Sequence, residues 1–416
     1  MKIFFSLLVF VCMAFGSNAT IEVIKKVDSL PSLAIEDSST DYDETFKMQF
    51  FKMLNADMNV LSLFNIDRYR RLIDYRAADV AVENKDKDYV LRYKLIQNDS
   101  GALQVAVKLI GNGEELFTKS YKVNNKNIYM FVAHSIAYDV NEYMGEASVE
   151  WMKRKVLFSR ITAPQKSEIV IADYTLTYQH VIIKNGFNIF PKWATKEQNS
   201  FYYSDLGAAT PTLKYVDIAK SKVVNIISSD GMMVCSDVSS DGKTLLLTMA
   251  RDGQPDIYTY DIQTKKIKRE TTYGGIDVGA QFMNRDTICI LAMALLVITI
   301  FSKNLRNGEI ESLVHYGRSN SACSARGEYV VYKARESSSA FEQNTFNLHL
   351  ISTKTTMIRR LTAVGVNEFP RFSKDGDAII FIKNYKEQSS IGIVRLNHNK
   401  NYLFPLKYGK LQSMDW

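Results

Sequence analysis

The chain has 416 residues and a formal net charge of +7, from 52 lysines and arginines against 45 aspartates and glutamates. The positive charges are spread along the chain, so solvated turns explain them better than a nucleic-acid-binding surface does. Outside the apolar N-terminus, the spacing of the cysteines fits neither a zinc site nor a disulfide framework. We expect Cys235, Cys289 and Cys323 to be small buried hydrophobic side chains.

The first predicted element in chain order is a secretory signal, residues 1–19. Lys2 precedes an apolar run at residues 3–15, and residues 17–19 are small enough for cleavage. The run is shorter than the roughly 20 residues that a membrane span needs, and a buried N-terminal helix is the less favoured alternative. We therefore expect the mature chain to begin near Thr20 and to leave the cytosol.

Residues 20–150 lack the repeat of the later chain and predict a small α/β domain. Apolar residues at helical spacing flank strand-like runs, which are separated by glycine-containing turns. The predicted elements are a helix, three strands and a second helix, at residues 44–54, 89–96, 102–110, 115–123 and 128–144. Gly145 suits the C-terminal cap of the second helix.

A repeat of about 44 residues fills the rest of the chain, residues 151–416. One apolar landmark per unit stands before a polar turn, at Trp193, Val238, Phe282, Cys323, Phe372 and Trp416. A second landmark enters a turn after a strand-like run, at Tyr174, Ile218, Ile262, Leu305, Ile351 and Leu396. Periods of roughly 40 to 50 residues with several short strands are typical of β-propellers. The sequence thus predicts a mainly β chain, a six-bladed β-propeller preceded by a small α/β domain.

The unit after Val238 shows the strands of one blade. An Asp-Gly turn at residues 239–243 is followed by an apolar strand at 244–249, a second turn, and an alternating strand at 257–261. A third turn and a fourth strand complete the unit. Because one such sheet cannot bury both of its faces, stacked blades have to supply the core.

The first landmark series also predicts how the ring closes. The series has no landmark in the first unit, which begins near Val156, and its last landmark is Trp416. The first unit therefore lacks its own first strand. We expect residues 411–416 to supply that strand, which removes two exposed sheet edges. Trp416 is then expected to be buried like Trp193.

One stretch departs from the repeat. Where the other units have a polar turn, residues 290–299 contain no Gly, Pro, Asn or Asp. The run is too short for a membrane helix. Two explanations stay open: a compensated local reading-frame shift, or an apolar hairpin. Either would leave a β-prone, uncharged segment that favours aggregation.

The motifs of common enzymes are absent from the sequence. It has no Gly-x-Ser-x-Gly elbow, Walker loop, dinucleotide fingerprint or His-Glu-x-x-His motif. Asp241 and Asp375 stand in Asp-Gly turns and are expected to be turn formers. His134 lies on the second predicted helix, where packing is the expected role. The sequence gives no metal site and no cofactor.

Four segments together resemble the TolB family of the Tol-Pal envelope system: residues 133–139, 237–243, 359–362 and 369–373. The order of signal, α/β domain and six blades is also that of the family. The resemblance implies a non-enzymatic periplasmic scaffold that maintains envelope integrity and outer-membrane constriction during cell division. It also implies that the propeller binds the peptidoglycan-associated lipoprotein and that the N-terminal region contacts inner-membrane Tol proteins.

The loops that precede the first strand of each blade, here called the inter-blade loops, are the candidate partner-binding site. They cluster at one end of the channel, and function usually lies on loops held by a rigid scaffold. The candidate residues are Asn188, Met232, Asp277, Arg318, Asn320, Asn367 and Glu368. The alternative is that such residues only form turns. A second candidate function is a secreted propeller hydrolase or lyase acting on glycans or peptides, which would need carboxylates with His or Arg at the channel mouth.

Overall fold

The computed structural model describes residues 30–98, 101–251, 253–294, 297–314, 318–336 and 345–416. The predicted signal, residues 1–19, lies outside the described residues. The described chain forms an α/β unit followed by a series of antiparallel β-sheets. Within these ranges no helix has the length and apolar character that crossing a bilayer requires.

The N-terminal unit is a five-stranded sheet with two helices, and all five elements predicted for it are present. The sheet has the order β2-β1-β3-β4-β5, with β1 parallel to both of its neighbours. Its elements are β1 (Ser32–Asp37), α1 (Glu44–Leu61), β2 (Asn65–Leu72), β3 (Tyr89–Gln97), β4 (Leu103–Gly111), β5 (Glu114–Val123) and α2 (Tyr129–Tyr143). Helix α1 begins where the Asp43 side chain accepts a hydrogen bond from Phe46 N at 2.9 Å.

The remaining strands form six antiparallel groups of four in the described chain. In chain order their strands are β6 (Val156–Ala163), β7 (Lys166–Ala172), β8 (Gln179–Ile183), β9 (Asn188–Trp193), β10 (Ser200–Asp205), β11 (Thr212–Asp217), β12 (Lys222–Ser228), β13 (Met233–Val238), β14 (Thr244–Arg251), β15 (Gln254–Asp261), β16 (Ile267–Arg269), β17 (Ile276–Phe282), β18 (Thr287–Ala294), β19 (Val297–Asn304), β20 (Ile310–Ser312), β21 (Arg318–Arg326), β22 (Tyr329–Arg335), β23 (Phe346–Ser352), β24 (Ile358–Arg360), β25 (Val366–Phe372), β26 (Ala378–Tyr385), β27 (Gln388–Arg395), β28 (Lys400–Pro405) and β29 (Lys410–Asp415).

Four of these groups are separate four-stranded sheets. The groups β21–β24 and β25–β28 are joined into one sheet by a single parallel pair, Phe346 with Val366. The first strands β9, β13, β17, β21, β25 and β29 contact one another in succession, and β29 contacts β9 again. This circular arrangement is a β-propeller, and the predicted fold class is confirmed.

Strand β29 completes the blade that begins with β6. The two strands are antiparallel, with Asp415 opposite Leu157 and Met414 opposite Phe158, so the predicted pairing is confirmed. The expectation for Trp416 was wrong. Trp193 is 5% exposed, but Trp416 follows the strand and is only half-buried. Its indole packs against Trp151 on one side and borders an open cavity on the other.

The apolar run of residues 290–299 lies in the hairpin of β18 and β19. The pairing continues in register from Thr287 with Asn304 to Ala294 with Val297. The segment thus forms an apolar hairpin in the structure, which is compatible with both explanations left open by the sequence. The two residues at the tip, 295 and 296, lie outside the described residues.

The α/β unit is joined to the propeller by buried polar contacts. The last turn of α1 leaves carbonyl groups without helical partners, and the guanidinium of Arg395 donates to the carbonyls of Val60 and Leu61 at 3.2 and 3.0 Å. The hydroxyl of Tyr402 donates to the carbonyl of Asn59 at 2.7 Å. Since both donors come from the blade β25–β28, the helix end is capped by the propeller.

A second set of contacts surrounds His134 on α2, which is fully buried as expected. Its Nδ1 lies 2.8 Å from Asp57 Oδ2 on α1, and its Nε2 lies 3.3 Å from Asp173 Oδ2 of the propeller. The Tyr174 hydroxyl also donates to Asp57. We call these four residues the His134 cluster. All three described cysteines are buried, so the prediction of small buried side chains is confirmed.

Candidate functional site

The first strands of four blades bend sharply at the channel. Each has a break in register with its neighbour, near Phe190, Gly279, Ala322 and Phe369. These residues have φ values of 52°, 63°, 48° and 50°. Glycine adopts this left-handed region freely, whereas it is strained for a bulky side chain. Strain of this kind persists only where the surrounding structure enforces it, and it is enriched at functional sites.

The bends shape a mostly apolar cavity of about 250 Å³ at the channel mouth next to the inter-blade loops. We call it the apolar mouth. Its lining includes Phe190, Met232, Val278, Leu291, Phe369 and Met414. The rings of Phe190 and Phe369 face each other with centroids 6.3 Å apart. Met232 is 42% exposed, so the mouth presents apolar surface to solvent.

A set of charged residues crosses the channel below the apolar mouth. Lys192 Nζ lies 3.0 Å from Asp237 Oδ1 and 2.9 Å from Asp415 Oδ1. Burial by itself would lower the pKa of Lys192, but the two carboxylates more than offset this and the pKa is raised above its ordinary value. Lys192 is therefore a cation that bridges three blades.

The two aspartates also bind backbone amides of the following blade. Asp415 Oδ2 accepts from the amide of Trp193 at 3.0 Å, and Asp237 Oδ2 accepts from the amide of Phe282 at 2.9 Å. Each carboxylate is thus paired with Lys192 and hydrogen-bonded to an adjacent first strand. These contacts hold the blades together around the axis.

A second cavity, of about 470 Å³, lies on the other side of the charged residues, and Lys192, Gln281 and Arg371 line both cavities. Its rim carries cations and carboxylates side by side, including Arg326, Lys374, Glu197 and Asp241. No described histidine lines either cavity. Among the described residues there is also no group of three or more His, Cys, Asp or Glu side chains that could hold a metal ion.

Four of the predicted partner-binding residues have buried side chains, and their role as direct contacts stays a prediction. Asn188, Asp277, Asn320 and Asn367 are 3%, 3%, 3% and 0% exposed. Asn188 Nδ2 donates to the carbonyl of Asn185 at 2.7 Å, within its own inter-blade loop. In the described structure these four side chains are shielded from solvent.

Asn367 and Asp277 occupy the position of Asn188 in two other blades. Asn367 Nδ2 donates to the carbonyl of Phe346 at 2.9 Å and to that of Val364 at 3.3 Å. Burial raises the pKa of Asp277, and a hydrogen bond from Thr271 lowers it in part. Like Asn188, both residues stand five positions before a landmark residue. In these blades the buried side chain at this position holds the inter-blade loop in place.

The other three predicted residues differ from one another. Met232 is exposed and lines the apolar mouth. Glu368 is half-buried, and its carboxylate accepts from Lys333 Nζ at 3.0 Å and from Asn384 Nδ2 at 3.4 Å. Arg318 begins β21, but its side chain lies outside the described part of the chain.

Phe190 and Phe369 were not among the site residues predicted from the sequence. Both belong to a motif, Asn-x-Phe-Pro followed by Lys or Arg and then an aromatic residue, found at residues 188–193 and 367–372. Its basic residue is Lys192 in one blade and Arg371 in the other. A phenylalanine before proline at the same place in two blades was the signal that could have revealed the site.

The sequence and the fold match known proteins over nearly their whole length. The profile of a family described as the TolB beta propeller domain matches residues 151–416. The Tol-Pal system protein TolB of Wolinella succinogenes is 45% identical over 412 residues, which covers 97% of each chain. The TolB proteins of Campylobacter jejuni and Helicobacter pylori strain J99 are 39% and 36% identical, over 418 and 432 residues, with both chains fully covered.

A solved structure is similar in fold. The crystal structure of TolB from Acinetobacter baumannii superposes with a TM-score of 0.76 at 17% identity, covering 93% of this chain and 97% of that one. At this identity the similarity concerns the fold alone. The identities to the curated relatives, together with the matched profile, show that the chain belongs to the TolB family of Tol-Pal system proteins, which is a non-enzymatic family.

Proposed function

We propose that the chain is a periplasmic scaffold that binds the peptidoglycan-associated lipoprotein through the propeller and inner-membrane Tol proteins through its N-terminal region. In this role it maintains envelope integrity and the constriction of the outer membrane during cell division. Membership of the TolB family supports the proposal. The mixed, internally paired charges of the channel support a binding role over the hydrolase or lyase alternative.

The observation that carries the proposal is the apolar mouth. Specific interfaces combine a desolvated apolar centre with a polar rim, and they bury about 800 Å² on each partner. Here Phe190 and Phe369 form a rigid apolar floor, Met232 adds an adaptable side chain at the surface, and Glu368 stands nearby in the same strand as Phe369. Asn188 and Asn367 hold the loops around this centre.

The test is calorimetric titration of the full chain with a soluble form of the lipoprotein. Met232→Glu places a charge at the mouth and is expected to weaken binding at least tenfold without changing the Tm. Met357→Glu is the matched control, because Met357 is 37% exposed and precedes β24 at the outer side of a blade. It is expected to bind like the wild type. If the wild type does not bind, the proposal fails, and if Met232→Glu binds normally, the assigned face is wrong.

The N-terminal contact is assigned to the groove between α1 and β2. This groove has a volume of about 1180 Å³ and is lined by Phe51, Lys52, Arg68 and Tyr69, among others. Tyr69 is 66% exposed, and β2 is an edge strand of the sheet. Binding of purified periplasmic domains of inner-membrane Tol proteins should fall in Arg68→Glu. It should persist in Lys122→Glu, a charge reversal on the opposite edge strand β5, and equal binding by both variants would exclude the groove.

A further inference from the structure

Two of the three described cysteines face each other across a junction between blades. Cys289 lies in β18 and Cys323 in β21, the first strand of the next blade. Their Sγ atoms are 3.5 Å apart, and the residues are 0% and 3% exposed. Each sulfur is the other's hydrogen-bond partner. Cys235 is different, since its Sγ contacts the carbonyl of Asp237 within its own strand.

The geometry is close to that of a covalent link. A disulfide bond holds its sulfur atoms about 2.05 Å apart, so the two sulfurs need to approach by roughly 1.5 Å. Among the described residues, no backbone pairing connects the sheet β17–β20 to the sheet that begins with β21. The junction is filled by apolar side chains around the two thiols, including Ile300, Val330 and Tyr332. Small rotations of the two side chains are therefore opposed mainly by these apolar neighbours.

We propose that Cys289 and Cys323 are an oxidation site and form an inter-blade disulfide bond in the exported protein. The oxidant is a disulfide of the compartment, either a dithiol-disulfide oxidoreductase or oxidised glutathione. The thiolate of one cysteine attacks the disulfide of the oxidant, which forms a mixed disulfide and releases one thiol of the oxidant. The second cysteine then attacks the mixed disulfide, which forms the bond between Cys289 and Cys323 and releases the second thiol of the oxidant. The two cysteines together lose two protons and two electrons, and the oxidant gains both.

The location of the protein in an oxidising compartment rests on the proposed periplasmic function. Burial of both sulfurs implies that the bond forms during folding, before the two blades close on each other. Once formed, it links two residues that are 34 positions apart in the chain and so restricts the unfolded chain. It also anchors the blade that carries the apolar hairpin to the blade that follows.

The test counts thiols in the full-length exported protein, purified without reductant. The protein is unfolded in guanidinium chloride with N-ethylmaleimide, and intact mass and peptide mapping locate the adducts. We expect one adduct among the three sites, on Cys235, and three adducts after treatment with a phosphine reductant. Cys235→Ala should carry no adduct at these sites until it is reduced, whereas Cys289→Ala should carry adducts on both remaining cysteines without reduction.

Thermal unfolding gives a second readout. The oxidised wild type should melt several degrees above its reduced form, while Cys289→Ala and Cys323→Ala should melt alike and respond little to reductant. Adducts on both Cys289 and Cys323 in the exported protein, persisting after equilibration with oxidised glutathione, would overturn the proposal. So would a bond that involves Cys235. The thiol count does not depend on partner binding, so the loss of lipoprotein binding with an intact bond would refute only the proposed function.

Discussion

The junction between the α/β unit and the propeller contrasts with the apolar mouth of the channel. The junction buries charged groups and pairs them closely, as in the His134 cluster and at Arg395. The mouth leaves apolar side chains uncovered and holds Phe190 and Phe369 in a strained backbone conformation. Buried paired charges fix one arrangement because an unpaired alternative is costly. Uncovered apolar surface on a rigid frame is what a partner can bind.

The largest effect is expected from removing the strand that closes the ring. Deletion of residues 410–416 exposes the backbone edge of β6, takes away the strand that contacts β9, and removes Leu411 and Met414, each 2% exposed. Loss of such buried side chains costs about 2 to 5 kcal/mol each, so the free energy of unfolding should fall by more than about 4 kcal/mol. Urea unfolding measures it, with Lys410→Ala as an exposed control. An unchanged midpoint would show that closure does not stabilise the propeller.

Substitution of Arg395 tests how much the junction contributes to the free energy of unfolding. It is fully buried, its Nε donates to Asp377 Oδ2 at 2.7 Å, and it caps α1. Arg395→Met removes the charge but keeps most of the volume, and breaking such a pair costs about 3 to 5 kcal/mol. The control is Arg306→Met, whose exposed ion pair with Asp286 contributes less than about 1 kcal/mol. Equal losses of unfolding free energy in the two variants would show that the buried ion pair at the junction contributes no more than an exposed one.

The junction should also weaken in alkaline solution. Burial by itself would lower the pKa of His134, but the carboxylates of Asp57 and Asp173 raise it to about 9, against about 6.5 in the unfolded chain. The protonated imidazole stabilises the fold fully below pH 6.5, and this contribution is lost as the pH rises through 9.

The slope of the free energy of unfolding between these pH values should approach −1.4 kcal/mol per pH unit from this residue, since the folded chain retains about one more proton. Equilibrium unfolding at a series of pH values measures the slope. His134→Gln should remove most of it, and His398→Gln is the control. A wild-type slope that matches that of His134→Gln would mean that His134 is neutral in the folded chain.

The smallest effect on stability is expected at the mouth. Phe369→Gly relieves a backbone strain of about 1 to 2 kcal/mol. This gain offsets most of the free energy that is lost when the half-buried ring is removed. The Tm should change little while lipoprotein binding weakens. At the equivalent bend, Gly279 has a φ of 63° and open space around it, so Gly279→Ala should cost about 1 kcal/mol for its backbone alone. A large loss of stability in Phe369→Gly would make that ring a core residue.

Local chemistry explains why much of the fold could be predicted. Polar turns, landmark residues and short strands recur from unit to unit, and they predicted the blades and the strand that closes the ring. Strand β1 was missed because most of its residues are buried, which removes the alternation of polar and apolar residues. Strand β2 was missed because it is rich in arginine and largely exposed. In both cases the position in the sheet, and not the local pattern, determines the strand.

The candidate site was only partly predictable from the sequence. Asn188, Asp277 and Asn367 lie at equivalent positions near the start of first strands. The sequence analysis assigned them to loops, where polar residues usually face solvent. Stacking of neighbouring blades buries them instead, so they support the loops. Phe190 and Phe369 form the floor of the mouth only because register breaks in their strands turn them towards the channel.

The sequence by itself determined the period of the repeat, the order of the domains and the family resemblance, because short segments of the chain are enough to show each of them. Only the tertiary structure decided which side chains meet. Lys192 contacts Asp237 and Asp415, Arg395 caps a helix more than 300 residues away, and Cys289 faces Cys323. These contacts join distant segments whose separation is fixed by the stacking of whole blades, and no local pattern encodes that distance.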